Sequence, residues 1–373
     1  MKANAVSKSN PWLYWFAVLT ALATLALLGI GGLVTSHEAG MSVPDWPTTY
    51  GYNMFLFPIN KWLGGIFYEH SHRLLASLVG LMTTILAIWL WLKDTRPWMP
   101  WLGVTAFLLV VAQGVLGGLR VRWSMDSLGI FHGVIAQTFF VLTCAIALFT
   151  SRWWMELERR VPARREENPT DKPAGPEAGA SLRWLVLATT ILIFIQLIIA
   201  AAMRHQHAGL AISDFPLAYG KLWPDTSAAA IAHYNAQRVS VNGENPITAF
   251  QIYLQMVHRL VALAIFILAA VCVQQARRQL GGKEPLTKLT WIWFGLIIAQ
   301  VGLGAATIWT NKAADVATAH VLVGALILAV GALWCVIAFR ESVAAAYNRR
   351  VKERCSPGTA AMIDAQPAMT GNK

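Results

Sequence analysis

Eight stretches of this chain are long and apolar enough to cross a bilayer, and that restricts its fold more than any other feature. They lie near 12–34, 67–92, 98–119, 127–150, 182–203, 248–274, 287–309 and 315–340. Crossing the hydrocarbon core takes about 20 apolar residues in an α-helix. With no water to satisfy backbone groups there, only helices and closed barrels span. The expected fold is an all-α integral membrane protein of eight transmembrane helices. Charged residues make up only 13% of the chain, against about 25% in a soluble domain. The first stretch is too long, and too poorly followed by a small-residue cleavage site, to read as a removed signal peptide.

The net charge of +11 would suit a nucleic-acid partner, but its distribution argues otherwise. With the N-terminus inside, 21 of the 30 basic residues fall on inner segments. That is the positive-inside pattern. It places both termini in the cytoplasm of a multi-pass protein of the cell inner (plasma) membrane. The basic charge then meets anionic lipid headgroups, with no nucleic acid. The cysteines are Cys144, Cys272, Cys335 and Cys355. None lies in an outer loop and none forms a CxxC pair, so neither an extracytoplasmic disulfide nor a thiolate metal site is expected.

The segment 151–181 holds Arg159-Arg160, Glu166-Glu167, Pro169 and Pro173 and reads as a cytoplasmic linker without an apolar period. It separates an N-terminal half, 1–150, from a C-terminal half, 182–340. The tail, 341–373, reads as cytoplasmic and disordered. The halves repeat each other. Ala39-Gly40, Asp45, Pro47, Tyr50 and Gly51 recur as Ala208-Gly209, Asp214, Pro216, Tyr219 and Gly220, at a constant offset of 169. Ala112-Gln113-Gly114 likewise matches Ala299-Gln300 followed by Gly302. Four helices per half is an even number, so the expectation is two parallel-repeat four-helix bundles. The second outer loop is enlarged after Gly220, and its Ala-rich stretch Thr226 to Gln237 reads as a short surface helix.

Each half also repeats a pair of histidines. Glu69-His70-Ser71-His72-Arg73 opens the second apolar segment and Gln255-Met256-Val257-His258-Arg259 the sixth. His132 follows His72 by 60 residues and His320 follows His258 by 62, each near the start of a further segment. Ionisable residues inside a membrane are costly and mark function. Within a pair, the two helices run parallel and start at the same face, so the imidazoles lie at similar depth. That suits two axial ligands on one heme iron. Zinc wants about four ligands and neither pair supplies them. The repeat makes His72 the ligand, because Arg73 follows it as Arg259 follows His258. His70, one position away, points elsewhere and reads as an interfacial hydrogen-bonding residue.

Glu69 shares the face of His72, and its counterpart is Gln255. A carboxylate can exchange protons where a carboxamide can only hydrogen-bond. The first half therefore reads as the reactive site, with Glu69 as the catalytic group, and the second as a bound redox cofactor. The competing reading has Glu69 snorkelling at the interface. Arg73 and Arg259 are placed where a guanidinium fork would meet heme propionates, or would anchor at the interface.

At these residues the chain resembles the heme A synthase family: the ExxHR pattern at Glu69–Arg73, the paired Ala-Gly…Asp-x-Pro…Tyr-Gly loops, and the late His132 and His320. The resemblance covers about 12–340. It implies oxidation of the C8 methyl of heme O to a formyl group, giving heme A for terminal oxidase assembly. Carried over by motif, His72 and His132 hold the substrate heme O, Glu69 is the catalytic carboxylate, and His258 and His320 ligate heme b. Many members carry a cysteine pair in the first outer loop; this sequence has none there, and resembles a cysteine-free branch. Expected partners are a heme O synthase, oxidase assembly factors and a second copy of the chain. Two other classes use the same histidines: a diheme cytochrome b exchanging electrons with quinol, and a heme transporter or chaperone.

Overall fold

A computed structural model of the protein describes residues 10–163, 180–238 and 246–354. Ten α-helices occur among the described residues: α1 (Pro11–Ser36), α2 (Gly65–Lys93), α3 (Met99–Trp123), α4 (Asp126–Thr150), α5 (Arg152–Ala163), α6 (Ala180–His205), α7 (Ala228–Gln237), α8 (Ala249–Gln279), α9 (Pro285–Trp309) and α10 (Ala314–Arg354). Eight of them, all but α5 and α7, are long and apolar enough to cross a membrane. Apart from the C-terminal end of α10, their bounds fall within a few residues of the expected ones. The protein is a multi-pass membrane protein.

The helix starts follow from local chemistry. Asn10 accepts from the N–H groups of Trp12 (3.1 Å) and Leu13 (3.3 Å), with Pro11 at the first helical position, where its missing N–H costs nothing. Thr248 and Gln251 form a reciprocal capping box at α8. Inside the spans, threonine hydroxyls donate back to the preceding turn, as Thr24 does to the Thr20 carbonyl (2.8 Å) and Thr83 to that of Val79 (2.7 Å). These hydroxyls are thereby satisfied within their own helices.

In the first half α1 packs on α2 and α4, and α3 closes the ring against both. In the second half α6 packs on α8 and α10, and α9 closes the ring. A seam joins them through α1 on α10, α4 on α6 and α4 on α10. Each half has its own apolar core, around Val79, Leu86 and Ile146 in one and Trp293, Ile297 and Trp334 in the other. A small third cluster, Phe140, Ala325 and Ala329, fills the seam. Lipid is as apolar as these cores, so association rests on close packing and interhelical hydrogen bonds. Trp293 Nε1 donates to the Ile327 carbonyl (2.9 Å) and Trp334 Nε1 to Thr290 Oγ1 (3.0 Å). Small residues sit where helices cross: a Cβ on Gly32 would stand 2.9 Å from Thr318 Cγ2.

The two outer loops close in the same way. Asp45 accepts from the N–H groups of Tyr50 (2.7 Å) and Gly51 (2.9 Å), and Asp214 from those of Tyr219 (2.7 Å) and Gly220 (2.9 Å). Tyr50 donates its hydroxyl to the Ser42 carbonyl (2.5 Å), and Tyr219 to that of Ala211. Tyr50 and Tyr219 both take positive φ (49° and 54°), each followed by a glycine with φ above 70°. Asp45 also accepts from Thr48 Oγ1 (2.5 Å). Burial raises its pKa, but the hydrogen bonds from Gly51, Thr48 and Tyr50 win and hold it below the ordinary carboxylate value.

Three segments depart from expectation. The first part of the linker is helical: α5 packs on α4, with Trp154 and Met155 buried and the Trp154 ring 4.9 Å from Phe149. A two-turn apolar face hid among its charges. Its Glu158 meets Arg96 at 3.3 Å and Arg340 at 4.0 Å, tying the seam on the linker side. Residues 164–179 of the linker lie outside the described residues. The tail does not begin at 341 as an irregular chain, because α10 runs on to Arg354; 355–373, with Cys355, lie outside the described residues. The Ala-rich stretch forms α7 as expected, capped by Ser227 (3.2 Å to the Ala230 N–H). Tyr234 of α7 stacks on Tyr219 with ring centres 3.6 Å apart.

Candidate functional site

The four histidines sit on α2, α4, α8 and α10. His72 and His132 face each other across the first half, with ring centres 6.5 Å apart and planes inclined at 72°. His258 and His320 lie within electrostatic reach of each other in the second half. Three of the four rings rest against helical glycines. A Cβ on Gly31 would stand 3.1 Å from His72 Cε1, one on Gly117 3.4 Å from His132 Cε1, and one on Gly304 3.2 Å from His320 Cε1. Glutamines hold the ligand helices in place: Gln113 Nε2 donates to the His132 carbonyl (3.1 Å) and Gln196 Nε2 to that of His258 (2.8 Å). Gln300 Nε2 lies 3.4 Å from His320 Nε2.

A heme fits these residues. Each of the four histidines keeps a buried Nδ1 with no hydrogen-bond partner among the described residues. Two imidazoles on one axial metal, at about 2 Å per metal–nitrogen bond, put their ring centres roughly 6–6.5 Å apart. No group of three or more His, Cys, Asp or Glu side chains that could hold a metal ion occurs among the described residues.

His70 is separated from this arrangement, as expected. It is buried beneath the first outer loop, its Nδ1 3.3 Å from Thr49 Oγ1 and its ring against Trp62 and Phe57.

Glu69 is 4% exposed, which removes the reading of a snorkelling carboxylate in water. Its Oε2 accepts the Val43 N–H (2.8 Å) and its Oε1 meets Arg73 at 2.7 Å. Gln255 occupies the matching place: its Oε1 accepts the Ile212 N–H (2.6 Å), and its Nε2 donates to the Gly209 and Ile212 carbonyls (3.2 Å each). Both side chains clasp the same turn of their loops. Only the first half builds that clasp as an ion pair.

Arg73 and Arg259 turn to the loops. Arg73 donates to the carbonyls of Asp45 (2.7 Å), Thr48 (3.0 Å) and Val43 (2.8 Å) besides Glu69. Arg259 donates to Leu217 (2.9 Å) and Asp214 (2.7 Å) and lies over the Phe215 ring. Their terminal nitrogens hold loop backbone, which fits the interfacial anchoring that the sequence also allowed.

Sequence reasoning passed over two arginines that the fold brings to the histidines. Arg120, in the last turn of α3, lies within electrostatic reach of both His72 and His132. Arg204, in the last turn of α6, lies within reach of His320 and of Arg120. The available signal was their place at the end of the bundle opposite the basic linker, where basic residues are scarce.

Fold and site together define a class: an eight-span membrane protein with a half-buried histidine pair on two of the spanning helices of each half. Residues 14–332 match the COX15-CtaA family, described as cytochrome oxidase assembly protein, and the chain belongs to that family. It is similar to proteins named heme A synthase from Rhizorhabdus wittichii (28% identical over 351 residues, 85% of this chain and 91% of the relative) and Geobacillus kaustophilus (28% over 325 residues, 83% and 86%). A protein of the same name from Lysinibacillus sphaericus is 26% identical over 348 residues, 92% of this chain and 99% of the relative.

Proposed function

We propose that this chain is a heme A synthase, an oxidoreductase that converts the C8 methyl of heme O to the formyl group of heme A. The observation that carries the reading is the 6.5 Å separation of the His72 and His132 rings, the span of two axial ligands on one iron. Family membership and the names of the relatives support it. In this reading the half 1–150 takes heme O between His72 and His132. The half 182–340 retains heme b between His258 and His320, and the two bundles are parallel repeats joined at the seam. Both termini and the linker face the cytoplasm, and the loops bearing Asp45 and Asp214 cover the outer side of the inner membrane.

In balance, R–CH₃ + H₂O + 2 A gives R–CHO + 2 AH₂, where A is a two-electron, two-proton acceptor such as a quinone, so the site must pass protons as well as electrons. The heme irons supply the redox chemistry. The chain supplies the rest. His72 and His132 fix the macrocycle between α2 and α4, and the packed helices keep bulk water out. Glu69 lies three residues before His72 on α2, on the helix face it shares with that histidine. Its oxygens can hold a proton at the cost of the Arg73 ion pair, which Gln255 cannot do. Heme O synthase as donor of substrate, oxidase assembly factors as acceptors of product, and self-association belong to the same proposal.

The test is to co-express the chain with a heme O synthase and extract the hemes. Heme A is the expected product. Heme O alone, beside an intact bis-histidine spectrum, would make the protein a diheme electron carrier. Heme bound without either spectrum or product would make it a carrier of heme. For topology, a cysteine placed in the linker should react with an impermeant reagent only after the cells are opened.

A further inference from the structure

A heme brings two carboxylates into the membrane, and a carboxylate buried without a cation there is costly. Arg73 and Arg259, which adjoin the histidines in sequence, already spend their terminal nitrogens on the loops. The seam supplies two others. The Arg120 guanidinium lies against the backbone of Gly40, where a Cβ would stand 2.9 Å from its Nη1. Arg204 crosses from α6 into the first half. Its Nη2 donates to the Gly32 carbonyl (2.7 Å) and to Ser36 Oγ (2.8 Å) on α1. Gly32 adjoins Gly31, which backs His72, and packs on Thr318, two residues before His320. The next residue, His205, packs on Gly129, three before His132. The end of α6 is thus wedged between the two histidine pairs. The acceptors that Arg204 meets there are neutral, and Arg120 is close enough to repel it. Two guanidiniums thus stand within electrostatic reach of each other and of the histidines.

We propose that Arg120 and Arg204 receive the heme carboxylates at the seam, Arg120 for the heme on His72 and His132 and Arg204 for the heme on His258 and His320. This rests on the function proposed above. It also assigns regioselectivity. The C8 methyl of heme O neighbours a propionate on the same pyrrole ring, so the arginine that fixes the carboxylate fixes which methyl is presented for oxidation. An anionic lipid headgroup offers similar chemistry and is separated by the test.

The full chain, purified from heme-deficient cells into zwitterionic lipid, is titrated with iron protoporphyrin IX and with its dimethyl ester. Uptake is read from the low-spin bis-histidine spectrum. The free acid should bind about 10- to 100-fold more tightly than the ester, the scale of a charge-assisted hydrogen bond. Arg120→Gln should abolish that preference at the first site, read in a His258→Ala background, and leave ester affinity unchanged. Arg204→Gln should do the same at the second site, read in a His72→Ala background, and Lys at either position should restore part of it. The acid-to-ester comparison on the unaltered chain stands even if a variant fails to fold. Equal binding of acid and ester overturns the proposal. So does a Gln variant that sheds bound anionic phospholipid yet keeps the preference, which would make the seam a headgroup site. A chain that takes up neither compound removes the proposed function and this proposal with it.

Discussion

Replacing Glu69 by glutamine separates the two things this side chain does. The second half already shows what a glutamine achieves there: Gln255 accepts the Ile212 N–H at 2.6 Å, as Glu69 accepts that of Val43 at 2.8 Å. Glu69→Gln therefore keeps the clasp on the loop. It loses the 2.7 Å ion pair with Arg73, whose guanidinium still has three loop carbonyls. The structural cost is that of weakening one charged hydrogen bond, about 1.5–3 kcal/mol, short of the ~3–5 kcal/mol for stranding a buried charge. The variant should fold, keep heme b and still bind heme O. If the carboxylate handles protons, heme A formation should fall by roughly 10²–10⁴, with heme O or a partly oxidised product accumulating. Glu69→Asp should lie between, since it keeps the charge with a shorter reach. The assay is extraction and separation of hemes from membranes, alongside the optical spectrum of the purified variant. Heme A at the parental rate from Glu69→Gln would refute the argument and leave Glu69 a clasp equivalent to Gln255.

Three further outcomes follow from the geometry. His258→Ala or His320→Ala leaves one axial ligand and should remove a stably bound low-spin heme b; an undiminished bis-histidine spectrum in both variants would reverse the assignment of the halves. Gly304→Ala puts a Cβ 3.2 Å from His320 Cε1, a mild overpacking worth about 1–3 kcal/mol. It should lower heme-to-protein stoichiometry or shift the spectrum, and full occupancy with an unshifted spectrum would show that the ring has room to move. Asp45 has a pKa below its ordinary value, so the order it gives the first outer loop is complete above about pH 4 and is lost as pH falls through the lower, folded value. Proteolysis of that loop should rise in this acid range in the parent, whereas Asp45→Asn should show a higher, pH-independent rate.

The spans and paired loops were legible because each is a local pattern. An apolar run of sufficient length has one solution in a bilayer, and the Asp45 and Asp214 loops carry their own hydrogen-bond acceptors. The histidine pair His72–His132 was legible for a less local reason, since the repeat singled out two positions and helix parity brought them to one depth. Helix α5 was not legible, because its few apolar residues sit among charges and only packing on α4 reveals which face is buried. The continuation of α10 past Arg340 was missed likewise, since a polar helix has no periodic signal.

The arginines show where sequence adjacency misleads. Residues one apart on a helix point in different directions, and residues four apart share a face. That rule separated His70 from His72, and applied once more it separates Arg73 from His72 and pairs it with Glu69, as the 2.7 Å contact between them bears out. Besides Arg73 and Arg259, cations reach the histidines from the ends of neighbouring helices, Arg120 on α3 and Arg204 on α6. No spacing within one segment could have found Arg204, because it reaches its acceptors across 172 and 168 residues of sequence. What pointed to it was cost. A guanidinium in the last turn of an apolar helix, on the side of the membrane where basic residues are scarce, needs an acceptor close by. Arg204 meets neutral ones at Gly32 and Ser36, and its cost in hydrocarbon is what singles it out.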